Sequence, residues 1–237
     1  MKMDGNTILI TGGATGIGYA MAKYFLEKDN TVIICGRRED LLKEVAGQLK
    51  GVHTVTCDVA KQDDRVALFA HVSGKFPGTN WLFNNAGVQR DIDTTKGLED
   101  LNIRGDEIPI NVVAPVYLSA LFTPFLAGKE NALIVNVTSG LAFIPDRAVG
   151  MPVYAATKAF LHTFSILQRK QLEPLGIKVV EIAPPMVESE LNLEGRGKRN
   201  QLKLPNMMTS EEYVAKIMPI FEQGAELVVL ESQGIKA

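Results

Sequence analysis

The sequence predicts an α/β fold: one doubly wound parallel sheet of about seven strands, with helices on both faces. Three observations predict it. Short β-branched runs alternate with helix-length segments along the 237 residues. The runs are continuously apolar, as strands covered on both faces require. A glycine turn follows the first run and polar residues close the later ones, so the chemistry-bearing positions fall at the carboxyl ends of the strands, where such sheets bind ligands.

The runs lie at 7–10, 31–35, 52–56, 81–84, 132–138, 177–182 and 226–230, and the helical segments at 16–28, 40–50, 63–75, 106–127, 152–175 and 210–223. Strand, helix, strand in repetition implies right-handed crossovers. No linker and no internal repeat interrupts the pattern, so residues 1–237 read as a single domain.

Composition excludes several classes. A formal net charge of −2 gives no electrostatic footprint for nucleic acid or an anionic membrane. The basic cluster Arg196, Lys198, Arg199 and Lys203 is local and reads as a solvated loop. Two cysteines, Cys35 and Cys57, are too few for a disulfide framework or a zinc site, so no metal is expected and a reducing, cytoplasmic setting is. No signal peptide is visible, and no apolar run approaches the ~20 residues of a membrane helix.

Taken in order, the first run ends in Thr11-Gly12-Gly13-Ala14-Thr15-Gly16-Ile17-Gly18. A strand, a glycine turn and a helix start form a phosphate cradle. Glycine lets the backbone approach a pyrophosphate, and free N–H groups at Gly16, Ile17 and Gly18 bind the anion, with Gly12 and Thr15 shaping the turn. The second run ends in Gly36-Arg37-Arg38, with no carboxylate where one would hold a ribose 2′-hydroxyl. The planar cations of Arg37 and Arg38 suit a 2′-phosphate, which favours NADP(H) over NAD(H); a plain surface pair opening a helix is the alternative. Asp58 and Val59 follow the third run, where a carboxylate can accept from an adenine amino group or cap the next helix. Asn84-Asn85-Ala86-Gly87 closes the fourth. Asn85 fits a tie between strand ends and Gly87 a close pass of backbone past a ribose, with Ala86 between them on the cofactor side; a plain turn is the alternative.

The remaining elements supply chemistry. Asn111 precedes Pro115 by four residues, so its carbonyl loses its helical partner and is open to a water; a simple kink is the alternative. Ser139 ends the fifth run, placed either to hold a substrate oxygen or to satisfy its own backbone. Tyr154 and Lys158 share a helix face one turn apart. A phenol titrates near about pH 10, and a neighbouring ammonium favours its ionised form. The pair can serve as an acid/base unit for interconverting a carbonyl and an alcohol; two ordinary helix residues at chance spacing are the alternative. His162, one turn further, reads as structural or interfacial.

These residues resemble the short-chain dehydrogenases/reductases over most of the chain. The first loop is similar to that family's Thr-Gly-x3-Gly-x-Gly, 84–87 to its Asn-Asn-Ala-Gly, and Tyr154-Ala-Ala-Thr-Lys158 to its Tyr-x3-Lys, with Ser139 and Asn111 where its serine and asparagine belong. The resemblance implies a Rossmann-like domain that uses NAD(P)H without metal. It implies that Tyr154 moves the hydroxyl proton, Ser139 orients the carbonyl, Lys158 tunes Tyr154 and holds the nicotinamide ribose, and Asn111 anchors a relay water. It also implies that Pro184, Val187 and Ser189 cover the nicotinamide, and that helices bearing Asn111 and Tyr154 pair into a homodimer or homotetramer.

Two departures stand out. Pro185 replaces the usual glycine, and Ser139 and Tyr154 are fifteen positions apart, two more than the common spacing, the extra length falling around 146–151. The Pro184-Pro185 variant and Ser139-Gly-Leu-Ala-Phe143 are similar to a subgroup sometimes encoded with lipoteichoic acid D-alanylation genes. A substrate lid is expected at about 188–207, with Phe143, Ile144, Met151, Met186 and Leu191 bordering an apolar pocket or simply filling core. Two functions compete: an oxidoreductase acting on a small carbonyl or alcohol, and a nucleotide-sensing protein on the same fold without turnover. The complete constellation of tyrosine, serine and lysine favours the enzyme.

Overall fold

The computed structural model of the chain describes residues 1–103, 107–188, 191 and 207–230, without side chains for 101–103. Seven parallel strands run β1 (Thr7–Thr11), β2 (Thr31–Gly36), β3 (His53–Thr56), β4 (Thr79–Asn84), β5 (Leu133–Val137), β6 (Lys178–Ile182) and β7 (Leu227–Val228). They lie in the order β3-β2-β1-β4-β5-β6-β7. The chain steps outward from β1 in one direction and from β4 in the other, so the crevice opens between these two strands.

Alternate strand residues feed two separate cores. One face takes α1 (Gly16–Leu26), α2 (Glu39–Gln48) and α7 (Ser210–Glu222), packed on Ile8, Ile10, Val32, Ile34, Trp81 and Phe83. Phe25 meets Trp81 edge-on at 5.6 Å between ring centroids, and Phe221 closes the cluster. The other face takes α3 (Gln62–Lys75), α5 (Ala114–Leu126) and α6 (Pro152–Leu172), on Leu9, Ile33, Leu82 and Ile134. A short α4 (Leu98–Ile103) and several 3-10 turns were not legible in the sequence, being too brief for a periodic signal.

Helix ends follow local chemistry. Thr209 and Glu212 form a full capping box at the start of α7, each side chain bonding the other's backbone N–H. In contrast, α1 begins after an extended Thr15 with no side-chain cap and no acidic residue in its first turn. Its positive end is left for an anion.

Before α5 the chain forms a π-helical turn, Pro109–Val113, where the Ala114 N–H reaches back to the Pro109 carbonyl. Prolines 109 and 115 remove two donors, and the wider turn results, so the simple kink weighed from sequence takes this form. Pro109–Leu126 is also the one described helix long and apolar enough to cross a membrane, with mean hydropathy 1.5, which corrects the reading that no run approaches that length. Its Leu118, Phe122 and Leu126 are buried in the second core, where Phe69 meets Phe122 edge-on at 5.1 Å.

One defect marks the first core. Tyr213 is fully buried and its hydroxyl has no hydrogen-bond partner among the described residues. Burial pushes the phenol's pKa far upward. Tyr213→Phe keeps the ring and deletes an unsatisfied polar atom, so stability is expected to rise by about 1 kcal/mol. Thermal melts check it, and a lowered Tm contradicts the assignment.

Candidate active site

Parallel pairing sets the ends of β1, β4 and β5 side by side, and hydrogen bonds lock them there. The Thr11 hydroxyl donates to the Phe83 carbonyl at 3.1 Å and accepts the N–H groups of Asn85 and Ala86, both at 3.0 Å. The Asn85 amide donates to the carbonyls of Thr11 and Gly12 at 2.9 and 3.1 Å. Thr11 therefore fastens the glycine turn to β4, a role that sequence reading did not assign it.

The turn leaves no room for side chains. Gly12 has φ +65°, and a Cβ there would stand 2.9 Å from the Ala86 Cα. A Cβ at Gly13 would lie 2.5 Å from Ile34, and one at Gly18 would overlap the Gly12 carbonyl oxygen. The turn is thus packed tightly on β2 and β4 directly beneath the uncapped start of α1, whose free N–H groups can meet an anion. Arg37 and Arg38 are exposed beyond the end of β2, with Arg38 at the N-cap of α2. Asp58 sits past β3 and accepts the Ala60 N–H, while its own N–H donates to Asp64. That side chain therefore closes a tight turn and does not cap α3.

Lys158, Tyr154 and Asn111 lie about Val137 and Gly87, at the ends of β5 and β4. Lys158, 4% exposed, donates from Nζ to the Val137 carbonyl at 2.8 Å. Its Nζ lies 5.7 Å from the ring centroid of Tyr154, itself buried one turn earlier on α6. A Cβ at Gly87 would be 3.4 Å from that Nζ and 3.5 Å from Asn111 Oδ1, so the missing side chain keeps the space between them open. Burial lowers the Lys158 pKa to about 8.

Asn111 is held from both sides. Its Oδ1 accepts the Val88 N–H at 2.9 Å, and its Nδ2 donates to the Val88 carbonyl and to Thr157 Oγ1. The π-turn aims this amide across to α6. Ser139 follows β5, where its Oγ accepts the Leu141 N–H at 3.2 Å. That contact uses a lone pair and leaves the hydroxyl proton for donation, so both roles read from the sequence are compatible. The Gly140 N–H donates to the Pro184 carbonyl, which sets Ser139 beside the segment after β6.

Around the mouth, Phe143, Ile144 and Met151 are half-buried and Met186 is 57% exposed. Gln89 contacts the Met151 sulfur, and the Ile92 N–H donates to the Gly150 carbonyl. Val187 forms a parallel bridge with Met208, and the Glu188 N–H donates to the Met208 carbonyl. Ser189 and nearly all of the expected lid lie outside the described residues.

This cradle and this cluster define a family. The short chain dehydrogenase family matches residues 6–200, and the chain belongs to it. Within that oxidoreductase family the chain is DltE-like. It is 48% identical over 231 residues to the uncharacterized oxidoreductase DltE of Bacillus subtilis (strain 168), a match covering 98% of this chain and 90% of that protein. It is 32% identical over 194 residues to serine 3-dehydrogenase of Agrobacterium fabrum (strain C58 / ATCC 33970), covering 81% of this chain and 76% of that one. A short-chain dehydrogenase from Sphingobium yanoikuyae, solved in complex with NADPH, superposes with a TM-score of 0.80 at 26% identity, over 94% of this chain and 87% of that one.

Proposed function

We propose that this chain is an NADP(H)-dependent oxidoreductase that interconverts a carbonyl and an alcohol, with Tyr154 as general acid and base. The observation that carries the reading is Lys158, buried with its Nζ on the Val137 carbonyl and 5.7 Å from the ring centroid of Tyr154 one turn earlier.

The residues fit a nicotinamide dinucleotide. Gly12, Thr15, Gly16, Ile17 and Gly18 would hold the pyrophosphate, Asp58 and Val59 the adenine, Asn85, Ala86 and Gly87 the ribose side, and Pro184, Val187 and Ser189 the carboxamide. The bound nicotinamide supplies or accepts a hydride. For reduction, Tyr154 gives its proton to the substrate oxygen while Ser139 donates a second hydrogen bond to it. The Lys158 ammonium stabilises the phenolate that remains. Asn111 holds the α5–α6 junction where a water can return the proton. For oxidation the same groups run in reverse.

Arg37 and Arg38 support NADP(H), because two cations directly follow β2, where a carboxylate would hold a ribose 2′-hydroxyl. Arg37→Glu is expected to weaken NADPH far more than NADH, read as dissociation constants by nicotinamide fluorescence; equal loss of both rejects the phosphate assignment. The activity itself is tested with benzaldehyde, diacetyl, ethyl acetoacetate and L-serine, each with both cofactors, following nicotinamide absorbance. Tight cofactor binding with no turnover across that set rejects the enzyme in favour of a sensor.

The outer face of α5 and α6 suits self-association as a homodimer or homotetramer. Tyr117, Phe160 and Leu167 are 45%, 44% and 55% exposed, and Phe160 stacks on Phe164 with rings 8° from parallel. The single-domain reading has its support in the unbroken sheet. Both cysteines are free and buried, which supports a reducing, cytoplasmic setting.

A further inference from the structure

Glu181 breaks the rule of its own strand. Its neighbours Val179, Val180 and Ile182 are apolar and buried, yet Glu181 carries a carboxylate at 1% exposure. A buried ionic group is a poor route to stability, since apolar replacement is often neutral or better. Departures of this kind collect where position matters more than stability.

Both carboxylate oxygens are engaged. Oε1 accepts from the Thr138 hydroxyl at 2.7 Å, and Oε2 pairs with His162 Nδ1 at 2.8 Å. Both partners sit one step from the chemistry. Thr138 lies between Val137, whose carbonyl holds Lys158, and Ser139. His162 is one helical turn beyond Lys158 on α6. The His162 ring also meets Phe143 edge-on at 4.5 Å, in the turn that follows Ser139. One carboxylate thus joins the strand end bearing Ser139 to the helix bearing Tyr154 and Lys158.

We propose that Glu181 and His162 form a brace that sets Ser139 against the substrate oxygen. They are positioning residues, acting through Thr138 and Phe143. The proposal rests on the reading that Ser139 touches substrate, so Ser139→Ala is measured alongside.

The test compares His162→Leu, which keeps the apolar contact with Phe143, with His162→Asn, whose amide can donate where Nδ1 does. The fastest of the four probes above is used, and cofactor dissociation constants are measured by nicotinamide fluorescence. His162→Leu is expected to lower kcat about tenfold with cofactor affinity unchanged, and His162→Asn to recover to within about threefold of the parent. Thr138→Val and His162→Leu combined are expected to lose no more than either alone, because they cut one chain of bonds. Should H162L fail to fold, T138V alone is read by the same criteria.

Full kcat in H162L and T138V while S139A is inactive overturns the brace. A loss that H162N does not recover, or that follows cofactor affinity, reduces it to a fold contact and also overturns it. Full activity in S139A instead overturns the underlying role of Ser139.

Discussion

Tyr154→Phe is expected to leave cofactor affinity intact and to cut turnover by about 10²–10⁴-fold, the usual worth of a positioned acid or base. The substitution is clean because the ring is what packs. Tyr154 is buried as the third residue of α6, and phenylalanine fills the same space. Only the proton that moves is removed. Ser139 still orients a carbonyl and the glycine cradle still holds a dinucleotide, so the loss falls on kcat. Single-turnover rates and a fluorescence titration of the cofactor separate the two. Unchanged turnover ends the case for Tyr154, whatever the affinity shows.

Lys158→Met is expected to abolish most turnover and yet stabilise the protein without cofactor. Burial alone lowers the lysine to about 8. Against an ordinary value of about 10.4, holding the charged form inside the folded protein costs about 3 kcal/mol at neutral pH. Methionine removes that cost but strips the Val137 carbonyl of its donor, so the expected net gain is about 1–2 kcal/mol. The pH dependence has a definite sign. Between about pH 8 and 10.4 the unfolded chain still holds the lysine proton that the folded form has released, so the parent gains stability as pH rises through that window. The advantage of the variant is therefore full below about pH 8, cancels part-way through that window, and is reversed near about 10.4, where only the orphaned Val137 carbonyl is left. Denaturant unfolding at neutral and alkaline pH measures it. A variant less stable than the parent at pH 7 contradicts the picture of a charge held at a cost for function.

Strand periodicity was legible because it is local. All seven runs fold as strands, with bounds shifted by a residue or two; β7 shortens to Leu227–Val228 because pairing with β6 covers only two residues. The π-turn was legible only in part. Pro115 flagged a lost bond at Asn111, but the widened turn depends on what the amide finds across the interface, Val88 and Thr157. Glu181 was overlooked because one acidic residue in 177–182 passes for a solvated edge position. Its mismatch with an otherwise apolar run was the available signal. His162 was read as structural or interfacial, without its partner.

The sequence by itself determined the order of strand, glycine turn and helix, and which residue types could handle a phosphate, a hydride acceptor's oxygen and a proton. These follow from spacing within a few residues, where backbone geometry leaves little choice. Only the tertiary structure decided that Thr11 fastens to Asn85, that Lys158 reaches Val137, and that Glu181 joins Thr138 to His162. Those pairs are separated by 19 to 74 positions in the chain, and parallel pairing brings them together by register, which no local pattern encodes.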